Sequence, residues 1–161
     1  MRLLQLVLAT VAALGLVGCT PTPARTFGKP ETDRINQLIG DFITAYNAKD
    51  AVRVSRLFTD GGAVMPPNAS TVRGTENVRE HYVKRFNQGA SDLALEAHTI
   101  AGSGALAFAS GDYRLMMKPP GGPETRDRGK FIFILRELND KWLLDQLMFS
   151  SDFAPEEPAA R

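Results

Sequence analysis

The segment RGKFIFILREL, residues 128–138, decides the fold class, because its side chains alternate between two faces over the length of a strand. Phe131 and Phe133 share one face, and the isoleucines that follow them share the other. Two neighbouring segments are of the same kind, ALAFASGDYRLMM at residues 105–117 and KWLLDQLMFSSD at residues 141–152. This period of two, bounded by glycine or proline, predicts consecutive antiparallel strands.

The part of the chain that precedes these strands has a helical period. Apolar residues recur every three or four positions over residues 35–46, which predicts a helix over about residues 31–48. Asp50 is a suitable N-cap for a short second helix that the TDGG segment at residues 59–62 ends, and a third helix is predicted over residues 75–87. Helices followed by strands predict an α+β fold, with three helices packed on one face of a curved sheet that encloses a pocket.

The stretch LGLVGCTPTP, residues 14–23, contains the only cysteine of the chain, Cys19. An uncharged run between Arg2 and this stretch has the order of a signal peptide and is shorter than a membrane span of about 20 residues. With Gly18 before it, Cys19 resembles the lipobox cysteine of bacterial lipoproteins. That resemblance implies lipidation of Cys19 and anchorage in a bacterial cell envelope. Thr20, where inner-membrane lipoproteins have aspartate, implies the periplasmic face of the outer membrane in a Gram-negative cell.

The chain is therefore divided into four parts. Residues 1–18 are the expected signal peptide, residues 19–30 the lipidated cysteine and linker, residues 31–153 the domain, and residues 154–161 a flexible tail. Removing the first part lowers the formal charge from +1 to 0, which argues against a nucleic-acid partner. A single cysteine and two distant histidines give no metal-ligand spacing, so neither a metal nor another cofactor is expected.

Five segments, in order, are similar to the NTF2-like superfamily, specifically its SnoaL-like, DUF4440-type branch related to ketosteroid isomerase. They are FITAYNAKDAVRVSRLFTDGGAVMPPN, VRGTENVREHYVKRF, SGDYRLMM, RDRGKFIFILREL and KWLLDQLMFSSD, within about residues 35–152. The resemblance implies a cone of three helices against a strongly bent mixed sheet of four to six strands. It also implies an interior cavity and dimerisation through the outer sheet face.

The steroid isomerase mechanism is not expected in this chain. The resemblance places Phe42, Pro66 and Gly129 where those relatives carry a catalytic tyrosine, a proton-shuttling carboxylate and an oxyanion-hole acid. None of these three side chains can donate a hydrogen bond or accept a proton.

Strand alternation and the third helix supply other candidates for the pocket. An acid inside WLLDQLMF must pair with a donor, face water or become protonated, so Asp145 is proposed as an acid–base group together with Tyr113 and His81. The predicted pocket lining is Phe42, Tyr46, Tyr82, Tyr113, Phe131, Phe133, Asp145, Leu147 and Phe149. Tyr82 and Tyr113 have an alternative role as ordinary core tyrosines, and His81 has one as a hydrogen-bonded or half-exposed histidine. Asp127 is either a group at the cavity mouth or a strand-end ion pair with the arginines beside it.

Three functional hypotheses follow. The first is an envelope lipoprotein whose domain binds a small, largely apolar molecule. The second is a general acid–base enzyme of isomerase, cyclase, dehydratase or hydrolase type that acts on a small carbonyl compound or lactone. The third is a structural partner of another envelope protein. In each case a homodimer is expected, because Ile132 and Ile134 form an apolar outer face that no predicted helix covers.

Overall fold

The computed structural model describes residues 26–153, and these form three helices and one six-stranded sheet. The helices are α1 (Lys29–Asn47), α2 (Ala51–Ser55) and α3 (Thr75–Asn87). The strands are β1 (Phe58–Met65), β2 (Val72–Arg73), β3 (Ala90–Ser103), β4 (Leu106–Met117), β5 (Thr125–Leu138) and β6 (Lys141–Ser151). The expected signal peptide, Cys19 and the expected tail lie outside the described residues.

The helices lie where the apolar spacing and the capping residues of the sequence predict them. The apolar stripe of α1 is buried, and α3 occupies the predicted residues. The Asp50 carboxylate accepts a hydrogen bond from the Arg53 backbone N–H at 2.8 Å, which confirms it as the N-cap of α2. Within residues 26–153, no helix combines the length and the apolar character that crossing a membrane requires.

The sheet is mixed, with strand order β2-β1-β6-β5-β4-β3. Strands β1 and β6 pair in parallel, and every other neighbouring pair is antiparallel. Helix α1 packs against β3 and β6, and α3 packs against β1 and β3. The predicted α+β architecture, an NTF2-like cone of helices against a mixed sheet, is confirmed.

The TDGG segment differs from its prediction, because it lies inside β1. The register of β1 against β6 shifts between Phe58 and Ala63, so this strand is irregular where the glycines occur. A Cβ atom at Gly62 would lie 2.9 Å from the Thr59 carbonyl oxygen and 3.0 Å from that of Leu144. Glycine therefore allows the close approach of two backbones here, which a helix-stop interpretation does not detect.

An aromatic cluster fills the space between the helices and the sheet. The Phe42 ring centroid lies 5.6 Å from that of Phe133, 6.0 Å from that of Tyr82 and 6.2 Å from that of Tyr46. All four side chains are at most 1% exposed. Contacts of this kind give a core its packing density and leave little free volume.

In the middle of strand β6, the side chains that face the core change from even-numbered to odd-numbered residues. Leu135 pairs with Leu144 and Ile134 pairs with Gln146, so Asp145 is the extra residue of a β-bulge. Before the bulge the even-numbered Leu144 points to the core, and after it the odd-numbered Leu147 does so. The bulge therefore decides which side chains of β6 face the helices.

Candidate functional site

Three side chains on three adjacent strands form a hydrogen-bonded cluster, here called the Asp127 site: Tyr113 on β4, Asp127 on β5 and Ser151 on β6. Gly129 pairs with both Tyr113 and Ser151 across the sheet, and Asp127 lies on the same face two residues earlier. The Tyr113 hydroxyl donates to Asp127 Oδ2 at 2.9 Å, and the Ser151 hydroxyl donates to Asp127 Oδ1 at 2.7 Å. Both carboxylate oxygens are therefore held in place.

Arg85 on α3 supplies positive charge beside this site. Its Nε donates to the Tyr46 hydroxyl at 3.2 Å, and its charge interacts electrostatically with Asp127. Within residues 26–153 no carboxylate lies within 4.0 Å of this guanidinium, although the side chain is half-buried. Arg85 therefore retains N–H donors for another acceptor.

The tyrosines of this region stay protonated at neutral pH. Burial, followed by the hydrogen bond to Asp127, raises the pKa of Tyr113. Burial also raises the pKa of Tyr46 and that of Tyr82. The Tyr82 hydroxyl is buried without a hydrogen-bond partner in the described structure. Tyr113 therefore acts as a hydrogen-bond donor and carries no negative charge.

An open cleft of about 440 Å³ adjoins Ser151, between the end of β1 and the end of β6. Its apolar wall includes Met65, Pro66, Phe149 and Phe153. The Phe149 ring centroid lies 4.9 Å from that of Tyr113, so the aromatic wall leads to the Asp127 site. We call this space the β1–β6 cleft.

Asp145 does not join Tyr113, and in this respect its predicted placement is wrong. Its carboxylate accepts hydrogen bonds from Thr59 Oγ1 at 3.3 Å, Arg136 Nε at 3.3 Å and Arg136 Nη2 at 3.4 Å. Arg136 lies on the face of β5 that points away from the core. The physical reason is the β-bulge of β6, because strict alternation assigns Asp145 and Leu147 to one face, whereas the bulge separates them.

His81 lies in a different place from both Tyr113 and Asp145. It lines a cleft of about 330 Å³ beside β2, together with Arg73 and Lys84. Burial, and then the charges of Arg85 and Lys84, lower the pKa of His81, so it is neutral at pH 7. The three predicted acid–base groups therefore occupy three separate environments.

The predicted pocket lining is mostly core. Six of its members are at most 3% exposed and pack together in the hydrophobic cluster: Phe42, Tyr46, Tyr82, Phe131, Phe133 and Leu147. Phe149 is partly buried and lines the β1–β6 cleft, while Tyr113 contributes its hydroxyl to the Asp127 site. One open cleft of this region thus lies at the end of the strands, beside Phe149 and Ser151, and a second cleft is lined by Leu115 and Asp127.

The sequence pattern does not point to Ser151 or Arg85. For Asp127 it allows both a place at the cavity mouth and an ion pair with the neighbouring arginines. The alternation of β5 indicates that the Asp127 side chain faces inward, because this residue lies on the same face of the strand as Phe131 and Phe133. Across residues 26–153, no group of three or more histidine, cysteine or acidic side chains is arranged to hold a metal ion.

The family model described as the SnoaL-like domain matches residues 39–143, more than half of the chain. The chain therefore belongs to the SnoaL-like domain family. A comparison with curated proteins gives no sequence match.

Solved structures share the fold at low sequence identity. A ketosteroid isomerase-like protein from Erwinia carotovora atroseptica SCRI1043 superposes with a TM-score of 0.72 at 22% identity, over 79% of this chain and 100% of that chain. An NTF2-like protein with a cystatin-like fold from Novosphingobium aromaticivorans has a TM-score of 0.65 at 15% identity, over 79% and 85%. An NTF2-like protein of unknown function from Shewanella oneidensis MR-1 has a TM-score of 0.59 at 19% identity, over 75% and 98%. These similarities show a common fold.

Proposed function

We propose that the domain binds a small molecule with an apolar body and a polar oxygen group, seated in the β1–β6 cleft against the Asp127 site. The observation that carries this proposal is the Asp127 carboxylate, fixed by the hydroxyls of Tyr113 and Ser151, because Ser151 also lines the β1–β6 cleft. An apolar cleft with a few convergent polar groups is the usual form of a ligand site.

The polar groups specify which ligand chemistry fits. A carboxylate has about four lone-pair positions, and the hydroxyls of Tyr113 and Ser151 use two of those on Asp127. A ligand hydroxyl can donate to the remaining positions, and a ligand carbonyl can accept from the free N–H groups of Arg85. Met65, Phe149 and Phe153 provide the apolar surface for the rest of the molecule. The preferred ligand is therefore a small apolar carbonyl or hydroxyl compound.

A second candidate function is general acid–base catalysis on a small carbonyl compound or lactone, of isomerase, cyclase, dehydratase or hydrolase type. The observation that favours it is the Tyr113–Asp127 pair, in which a neutral donor lies 2.9 Å from a carboxylate. The acid–base set would then be Asp127 and Tyr113, because Asp145 and His81 lie elsewhere. Turnover that Asp127→Asn abolishes while binding survives distinguishes this function from binding alone.

Ligand binding is tested with 2-acetylnaphthalene, a neutral aromatic ketone, followed by amide NMR shifts of the purified protein. Perturbations are expected around Phe149 and Ser151, and we expect Phe149→Ala and Ser151→Ala each to weaken binding about tenfold, because each removes part of the site. The matched controls are Asp145→Asn and His81→Gln, which lie outside the cleft and should bind as the original protein does. Equal affinity in all four variants, or shifts confined to the His81 cleft, would contradict the proposal.

We also propose that the domain is displayed on the bacterial cell envelope through a lipid on Cys19, on the periplasmic face of the outer membrane if the cell is Gram-negative. The support is the sequence order of charge, apolar run, Gly18 and Cys19. Cys19→Ser should abolish incorporation of labelled palmitate, because the thiol is the attachment atom, whereas Thr22→Ser should not change it. Palmitate labelling that persists in Cys19→Ser would refute the anchor.

The third part of the proposal is a homodimer through the outer sheet face. The support is a set of apolar side chains there: Leu106, Phe108, Ile132, Ile134 and Met148. Leu106 is 51% exposed and Met148 is 44% exposed, and contiguous apolar surface of this kind marks interfaces. Light scattering at micromolar concentration should give a dimer mass, and Ile134→Lys should give a monomer. A monomeric original protein would contradict this expectation.

A further inference from the structure

We propose that the outer face of β4 and β5 carries a second site, which binds a phosphate or carboxylate group of a soluble molecule with an apolar body. Its polar part is the arginine cluster, which consists of Arg114, Arg126 and Arg128. Arg114 lies directly opposite Arg128 across the strands, and Arg126 lies opposite Met116 in the next pair on that face. The three arginines therefore lie on the face of the sheet opposite to Tyr113, although Asp127 also lines the cleft beside them.

Two other cations of the outer face have carboxylate partners, whereas the arginine cluster has none among the described residues. Lys130 pairs with Asp152, and Arg136 pairs with Asp145. None of the three clustered guanidinium groups forms an ion pair or donates a hydrogen bond to another described residue. Like charges directly opposite each other in a sheet destabilise it, so the fold carries a cost that a bound anion would remove.

A cleft of about 630 Å³ is associated with the cluster. The rest of its lining is Asp92, Leu115, Met116, Asp127 and Phe153. The Phe153 ring lies 5.8 Å from the Arg128 guanidinium carbon, in the arrangement of a cation–π contact that leaves N–H donors at the guanidinium edge. Neither carboxylate of the lining forms an ion pair with the arginines, because Asp92 accepts a hydrogen bond from the Ser91 hydroxyl at 2.8 Å and Asp127 accepts from Tyr113 and Ser151.

The size and lining of the cleft indicate a ligand that is larger than a free inorganic ion. The volume exceeds the needs of one phosphate, and Met116 and Phe153 supply apolar surface next to the cations. Arginine is suited to planar, bidentate contacts with phosphate and carboxylate oxygens. The ligand class is therefore an oxyanion on an apolar body.

The position of the cleft favours a soluble molecule over a bilayer. The described chain begins near Phe27, whose ring contacts Gly102 and lies 6.1 Å from that of Trp142. Gly102 pairs with the first part of β4, and Arg114 lies near its other end, about 25 Å further along at the usual rise per strand residue. A tether that precedes Phe27 would therefore hold the opposite end of the sheet nearest to a membrane.

The test uses the purified protein with 1-naphthyl phosphate as probe, compared with 1-naphthol and with inorganic phosphate, by isothermal titration at low salt. We expect 1-naphthyl phosphate to bind at least about tenfold more tightly than either fragment. Each of the variants Arg114→Gln, Arg126→Gln and Arg128→Gln should weaken the binding of 1-naphthyl phosphate about tenfold. Arg128→Lys should be intermediate because charge remains while the planar fork is lost. The matched control is Arg136→Gln, which removes a paired arginine from the same face of β5 and should leave binding unchanged.

A second readout separates a ligand site from a structural role. Without ligand, the three glutamine variants should keep or raise Tm, because the repulsion between the arginines is relieved. The probe should raise the Tm of the original protein by more than it raises the Tm of the variants. A fall in Tm without ligand, or equal probe affinity in the variants, would overturn the proposal. Phosphatidylglycerol vesicles bound through the same arginines, with no binding of 1-naphthyl phosphate, would assign the cluster to a membrane instead.

Discussion

We expect Gly129→Ala to lower the free energy of unfolding by at least about 3 kcal/mol, in urea titrations at pH 7. A Cβ atom at this position would lie 1.9 Å from the Ser150 carbonyl oxygen, which is backbone and cannot rotate away. Strands β5 and β6 would have to separate at the point where Gly129 pairs with Ser151. The substitution should therefore also disturb the Ser151 hydrogen bond to Asp127.

Gly61→Ala is the matched control, because it places the same methyl group in another strand. A Cβ atom at Gly61 would meet nothing within 4 Å, so the change should stay within about 0.5 kcal/mol or stabilise the protein slightly. A loss below about 1 kcal/mol in Gly129→Ala would show that the two strands adjust easily. The same clash would oppose replacement of Gly129 by any residue with a side chain, including an acid.

Phe42→Ala should lower the free energy of unfolding by about 3–5 kcal/mol, with an unchanged urea m-value. The side chain is 0% exposed and forms ring contacts with Tyr46, Tyr82 and Phe133. Its removal leaves a cavity between α1, α3 and the sheet, and the neighbouring rings cannot collapse into it without losing their own contacts.

Phe153→Ala deletes the same number of atoms at a side chain that is 51% exposed, so its loss of stability should stay below about 1 kcal/mol. If Phe42→Ala costs less than about 2 kcal/mol, the aromatic cluster is loosely packed. In that case the interior can accept a ligand of the kind first expected there. A large loss supports placing the ligand in the β1–β6 cleft.

The order of helices and strands was predictable because it depends on local periods. The apolar spacing of residues 35–46 gave α1, the cap at Asp50 gave α2, and the alternation around Phe131 gave β5. Each of these signals lies within one element. The α+β class followed from their order along the chain.

The candidate site was predictable only in part, because it depends on how separate elements meet. Tyr113 lies on the inner face, as the alternation of β4 predicts, but its partner could not be identified without the strand register. Asp145 was selected on the assumption of unbroken alternation, which one extra residue in β6 invalidates. Arg85 and Ser151 are residue types that are common on protein surfaces, and only the fold shows that both interact with Asp127.

The bulge at Asp145 also determines which changes of chain length this family member can tolerate. Deleting Asp145 itself would remove the extra residue and restore strict alternation, and Leu144 and Leu147 would both keep their places on the inner face. A one-residue insertion or deletion beyond the bulge, in the half of β6 that contains Phe149, would instead turn the side chains that follow it to the opposite surface. Sequence alignments of relatives should therefore place any gap within β6 at the bulge and keep the spacing from Leu147 to Ser151 constant wherever a serine completes the hydrogen-bonded carboxylate.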